Sequence, residues 1–278
     1  MTSLTIAVAG VPGSPELGRA VAALERCGTD GAQLLTGVPA AVALTAASGE
    51  VVVLLDADIE VVPGWLAPLL AAFEDPDVGA VAPLHVAPDG RVLHAGAALD
   101  EGVVPVLLHA GAPAGHPAVV RDRDLTILGG GCRAVRRSAF LALGGLARDG
   151  SPPGQAELCM RLGAAGLSCR HVGGALVVDR APARPPVADA AEAVLLRRAW
   201  RGHPADRRAL LAEDGVVDAD WADCRWSGPL FGAGADAAEG RAFLRALVDD
   251  GRRPAAVEGA RGPLRADAAE LCEPWLLA

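Results

Sequence analysis

The 278-residue chain contains no Lys, no Asn and no Tyr, and aromatic residues make up only 3% of it. All 25 of its basic residues are therefore Arg, against 34 acidic ones, for a net charge of −9. That balance excludes a general nucleic-acid binder, which needs a basic face to displace counterions. The missing residue types have AT-rich codons, so the Ala-rich composition reads as a GC-rich coding bias, and Ala content alone is weak support for a helix. Six cysteines are present, none in a CxxC pair. They fit reduced, buried thiols rather than a disulfide framework or a zinc site. No apolar run reaches the roughly 18 residues that a membrane span requires, and the first residues lack the charged-then-apolar layout of a signal peptide. The expected compartment is the cytoplasm, with membrane association at most peripheral.

What is present is periodic. Leu4 to Ala9 reads as a strand and Pro12 to Pro15 as a turn, with Ser14 capping a helix from Glu16 to about Arg26. Ala32 to Leu35 follows as a short strand and Pro39 to Ala47 as a helix ended near Gly49. Val51 to Leu55 is an uninterrupted apolar run, the signature of a strand covered on both faces. Strands alternating with helices predict a three-layer α/β/α architecture around a mostly parallel sheet. Further along come a helix over Gly64 to Phe73, a strand over Val78 to Leu84, and a hairpin turn at Asp89-Gly90. Asp100 to Arg123 carries no period and is expected to be a surface loop or lid. Helices are expected at Ser138 to Leu143 and Glu157 to Ala165, and a last strand at Ala175 to Val178.

The buried strand runs directly into Asp56-Ala57-Asp58. Ligands gather at the carboxyl ends of strands in open parallel sheets, and two carboxylates at i and i+2 can converge on one hard cation such as Mg²⁺ or Mn²⁺. The pair is equally readable as a turn cap and a solvated carboxylate. Asp218-Ala219-Asp220 repeats the tripeptide without a buried strand before it and reads as a solvated turn. The six histidines show no metal-ligand spacing and read as loop or surface groups. Gly129-Gly130-Gly131 lacks the Lys and Ser/Thr of a phosphate-cradling loop. It reads either as a tight turn or as a point of close backbone approach.

Three stretches together resemble the family 2 glycosyltransferases of GT-A fold: VVVLLDADIEVVPGWLAPLLAAFEDPDVGAVAPLHVAPDGRVLHAG, ILGGGCRAVRRSAFLALGGL and ELCMRLGAAGLSCRHVGGALVVD. The resemblance spans roughly residues 4–180. It implies a nucleotide-diphosphate sugar as donor, an unidentified acceptor and a divalent Mg²⁺ or Mn²⁺ held by Asp56 and Asp58. It also implies a carboxylate base that gives inversion at the anomeric carbon. Ala9 and Pro12 fall in the stretch IAVAGVPGSPELGRAVAALE, which is similar to the family's first strand and helix, and are implied on the donor side; Gly130, Gly131 and His94 are implied on the acceptor side. The sequence departs from the family in three places. The half before Asp56 is short, with no evident base-reading Asp, so the fold is expected to be shortened at the N-terminus. The family's acidic pair is replaced by Gly154-Gln155, leaving Glu157 as the candidate catalytic carboxylate or, alternatively, a first-turn helix acid. Asp179 stands where the family has a late His and is a candidate third metal ligand, or else a turn residue beside Arg180.

Pro182 to Pro186 marks an expected boundary between a glycosyltransferase-like domain, 1–183, and a helical linker with a small α/β appendage, 184–278. Helices are expected at Ala188 to Trp200 and Pro204 to Ala212. Residues 225–259 resemble the opening of a GT-B glycosyltransferase and would dock on the first domain or mediate assembly, leaving a homo-oligomer open. The enzymatic expectation is a metal-dependent inverting transferase. Its alternative is a degenerate glycosyltransferase-like binding or scaffolding domain, and a third reading, a nucleotidyltransferase, lacks the basic glycine-rich loop that chemistry needs.

Overall fold

The computed structural model describes residues 3–29, 31–100, 105–112, 114–145, 152–181, 197–198 and 200–214, with the side chains of 152–154 left aside. The elements in chain order are β1 (Leu4–Ala9), α1 (Pro15–Cys27), β2 (Gln33–Thr36), α2 (Ala40–Ala46), β3 (Val51–Asp56), β4 (Ile59–Val61) and α3 (Leu66–Ala72). β5 (Val78–Val86), β6 (Val92–His94), β7 (Ala97–Leu99), β8 (Pro105–Leu107), α4 (Pro117–Val120) and β9 (Arg123–Leu125) follow. The described part ends with β10 (Cys132–Arg136), α5 (Arg137–Ala142), α6 (Pro152–Ala164), β11 (Ser168–Asp179) and α7 (Arg207–Glu213).

The main sheet runs β2-β1-β3-β10-β5-β11-β4, with β6 on β5 and β9 on β11. β1, β2, β3, β5 and β11 point one way, because β3 and β5 are both antiparallel to β10; β10 and β4 point the other way. The chain is therefore a mixed α/β protein with a central, largely parallel sheet. β3 explains why its run had to be apolar throughout. Val51, Val53 and Leu55 enter one core with α1 and α3, while Val52 and Leu54 enter the other with α2, α5 and α6. Side chains alternate across a strand, so a strand between two helical layers needs an apolar residue at every position.

Local chemistry sets the first helix as expected: Ser14 is the N-cap, its Oγ accepts from the Leu17 N–H at 3.3 Å, and Pro15 opens the helix. Two β-α units, β1–α1 and β2–α2, precede β3, the second built from only four and seven residues. The region after Asp100 is not the irregular loop that its composition suggests. It contributes β8, α4 and β9, and Leu108, Ala112, Ala118 and Val119 are buried. β11 is also longer than its apolar core: it starts at Ser168, and a register shift between Val172 and Leu176 absorbs Gly173-Gly174. A Cβ on Gly173 would lie 2.2 Å from the Val120 carbonyl carbon, so only glycine lets α4 pack there.

Residues 200–214 return to the main unit. Asp206 accepts from the Leu99 N–H at 2.6 Å and the Thr126 hydroxyl at 2.6 Å. The Asp214 side chain, 1% exposed, receives the Arg123 fork at 2.7 Å on both oxygens and Arg121 at 2.5 Å, and lies 2.7 Å from His109 Nε2. His109, a non-glycine residue at φ +61°, is thus held from the C-terminal side. The stretch resembling a GT-B opening, the second Asp-Ala-Asp and most of the helix expected over 188–200 lie outside the described residues. Among the described residues no helix is long and apolar enough to cross a membrane.

Candidate functional site

Because β1, β3, β5 and β11 share a direction, their carboxyl ends share an edge, and that edge is where loops are free to build a site. β1 ends at Ala9 and β3 at Asp56, which are partners across the ladder. β10 begins at the same edge, and the Asp56 N–H donates to the Gly131 carbonyl at 2.7 Å. Gly129-Gly130-Gly131 is a point of close approach. A Cβ on Gly131 would lie 2.6 Å from Asp56 Oδ2, and one on Gly130, at φ +82°, would lie 2.5 Å from His94 Nε2 and from His85 Cε1. The loop passes edge-on between a carboxylate and two imidazoles, and glycine is what fits.

Asp56 is exposed at this edge and Asp58, two residues on, is half-buried. The Asp58 carbonyl accepts from the Arg180 N–H at 3.0 Å, and Ile59 pairs with Asp179, so Asp58 stands beside the end of β11. Asp179 Oδ2 lies 3.3 Å from His85 Nδ1, and its Oδ1 accepts from the Ala181 N–H at 2.9 Å. His85 stacks on His94 with ring centroids 4.3 Å apart. Burial, with His85 beside it, pulls His94 well below the usual imidazole range and keeps it neutral. The expectation of loop or surface histidines is corrected here: His85, His94, His109, His116 and His171 are all buried.

A cleft opens beside Asp56, walled by Ala9, Val38, Gly131, Arg133 and Gln155. Of the residues expected on the donor side, Ala9 lines it, while Pro12 is exposed on the turn above and packs towards Gly37. On the acceptor side, Gly130 and Gly131 line it, and His94 lies buried behind Gly130. On α6 it is Gln155 that lines the cleft. Glu157 is half-buried two positions on, about 200° around the helix. Arg133 and His85 were not singled out by sequence reasoning. The available signal was a charged residue at interior positions of apolar strands, Arg in CRAV and His in APLHV.

The donor set suits a hard cation. Asp56 lines the cleft and Asp58 follows two residues on, beside the end of β11; both oxygens of Asp179 have partners in the fold. Among the described residues no three His, Cys, Asp or Glu side chains cluster as a complete ligand cage. Two carboxylates with the remaining positions left to phosphate oxygens and water is the usual arrangement for Mg²⁺.

Residues 40–144 match the family model of Glycosyl transferase family 2. Curated relatives include the uncharacterized protein y4gI of Sinorhizobium fredii (strain NBRC 101917 / NGR234), 33% identical over 133 residues that are 45% of this chain and 15% of that protein. The O-antigen biosynthesis protein RfbC of Myxococcus xanthus is 35% identical over 136 residues, 44% of this chain and 10% of that protein. The match thus covers only a small part of these much longer relatives. Solved structures of similar fold include GalNAc-T7 with UDP, GalNAc and Mn²⁺, at a TM-score of 0.55 and 14% identity over 73% of this chain and 49% of that one. The mannosyltransferase PcManGT from Pyrobaculum calidifontis, in complex with GDP-Man and Mn²⁺, aligns at a TM-score of 0.50 and 18% identity over 77% and 69%. The strand order and these neighbours agree on a GT-A fold, and within it residues 40–144 are similar to the Glycosyl transferase family 2 model.

Proposed function

We propose that the chain is a metal-dependent, inverting glycosyltransferase that moves a sugar from a nucleoside-diphosphate donor to an acceptor hydroxyl. The observation that carries this reading is Asp56-Ala57-Asp58 leaving a buried central strand at the mouth of a cleft. A divalent cation held by Asp56 and Asp58 would supply Lewis-acid neutralisation of the charge that grows on the leaving diphosphate. The chain's own residues hold that site in shape. Gly131 fixes the Asp56 main chain and leaves its carboxylate room, Gly10 allows the first loop to lie against Ala57, and Arg180 pins the Asp58 carbonyl. The GDP-Man and Mn²⁺ bound to one GT-A neighbour, and the UDP and Mn²⁺ bound to the other, support a nucleotide-sugar donor and a divalent ion here. In this reading Glu157 takes the acceptor proton, working from the flank of α6 rather than from the cleft wall.

Turnover of the common nucleotide sugars with Mn²⁺ or Mg²⁺ tests the proposal. Asp58→Ala is expected to fall to background, and Glu157→Gln to lose about 10²–10⁴ in rate, the usual contribution of a general base. Equal, background-level turnover in wild type and Asp58→Ala refutes it. A second reading, a binding module without chemistry, is favoured by Gln155 standing at the cleft wall, since an amide accepts no proton. Calorimetry showing nucleoside-diphosphate affinity without turnover by any donor would select it.

A further inference from the structure

Arg133 is 5% exposed, yet among the described residues no acidic side chain lies within ion-pair distance of it. Its Nη2 donates to the Gly130 carbonyl, while Nη1 is buried without any acceptor. Burying a guanidinium without a counter-charge is costly, and a buried unpaired donor is a group awaiting a partner. The surroundings say what kind. Arg133 lines the cleft with the amide of Gln155, which sits in the first turn of the 13-residue α6. That end of a helix carries the positive end of the dipole, although Pro152 and Pro153 have no N–H to offer. Where the resemblance expects carboxylates, the chain has Gly154-Gln155, so these two positions supply no negative charge to Arg133, which feels the Asp56 carboxylate only through space.

We propose that Arg133, Gln155 and the first turn of α6 form a binding site for a substrate oxyanion, a phosphate or carboxylate oxygen that bonds to Arg133 Nη1. This deepens the glycosyl-transfer reading and rests on it for the identity of the carrier. The oxyanion belongs either to the diphosphate of the donor or to an acidic group on the acceptor. Asp56 does not fill the role, because Nη1 makes no hydrogen bond to it. An oxyanion set between an Asp56-bound cation and the guanidinium would be neutralised from both sides.

Titration calorimetry of the full chain in EDTA tests the site apart from any cation. The probes are inorganic phosphate, glucuronate, UDP, GDP, uridine and guanosine, against wild type, Arg133→Met and Gln155→Glu. Arg133→Met is expected to weaken anion binding by about tenfold or more, as for a lost charge-assisted hydrogen bond, while uridine and guanosine are unaffected. Loss for UDP and GDP assigns the oxyanion to the donor. Loss confined to phosphate or glucuronate assigns it to the acceptor. Gln155→Glu supplies an internal counter-charge and is expected to weaken the same anions, so it decides the matter if Arg133→Met does not fold. Anion affinities equal to wild type in both variants, or no anion binding by the wild type, overturn the proposal. The enzymatic reading fails separately: Arg133-dependent anion binding without Asp58-dependent turnover removes the chemistry and keeps the site.

Discussion

Asp214 is the keystone by which residues 200–214 are fastened to the sheet, and Asp214→Asn measures what that fastening is worth. Its carboxylate, 1% exposed, meets two guanidinium donors and the His109 ring. The Arg121 contact, on a guanidinium 46% exposed, is worth about 1 kcal/mol at most. Arg123 is different: it is 7% exposed and bonds both carboxylate oxygens at 2.7 Å. His109 is 0% exposed. Burial alone would raise the acid's pKa, but the adjacent His109 ring and the Arg123 guanidinium outweigh it and hold the carboxyl below its usual range. Removing one partner of a buried pair strands the other, at a cost of about 3–5 kcal/mol. Because Asn keeps part of the hydrogen bonding, we expect about 3 kcal/mol, or roughly 6–12 °C in Tm for a chain of this size. Thermal melts by circular dichroism give the total. A double-mutant cycle should show a coupling with Arg123→Met above about 1.5 kcal/mol and one with Arg121→Met below about 1 kcal/mol. An Asp214→Asn protein within about 0.5 kcal/mol of wild type, the scatter of neutral surface changes, would refute the buried clasp.

Acid should weaken the fold before the carboxylates titrate. Burial pulls His94, His109 and His116 down, His116 to about 4, so below about pH 6.5 the unfolded chain binds protons that the folded chain refuses. Stability is then intact above that pH and lost as pH falls, at up to about 1.4 kcal/mol per pH unit for each such imidazole; urea midpoints that stay level from pH 7 to 5 would contradict this. Gly173→Ala drives a Cβ into the Val120 backbone at 2.2 Å and should cost several kcal/mol by urea unfolding, beyond the roughly 1–3 kcal/mol of ordinary overpacking. Gly131→Ala presses on Asp56 rather than on a core, so it should leave Tm within a few degrees while reducing Mn²⁺ affinity and turnover together.

The sheet was legible where burial on both faces leaves a plain mark: β3 is apolar at every position, and Ser14-Pro15 sets the start of α1 by local chemistry. β11 was legible only from Ala175, because Arg170, His171 and the two glycines before it break the apolar pattern. Those residues are explained by partners far away: Arg170 bonds Asp124 and Asp75, His171 bonds the Val119 carbonyl, and Gly173 admits α4. The same reason hid the burial of His85 and His171, which meet Asp179 and the Val119 carbonyl far along the chain. At the site, Asp56-Ala57-Asp58 and the glycine loop were visible as a strand end and a composition, and the absence of a carboxylate at Gln155 was visible too. Arg133 was not, since a single Arg in CRAVRR reads as one of a basic cluster until the register with Leu54 turns its side chain inward.

The glycine loop has a mechanical consequence. With a bare main chain wedged between the Asp56 carboxylate on one side and the stacked rings of His85 and His94 on the other, there is no slack to absorb movement. A shift of Asp56 by a few tenths of an ångström is handed through the wedge to the rings. The imidazole resonances of two residues buried behind the loop should therefore act as a built-in gauge of what happens at the aspartate.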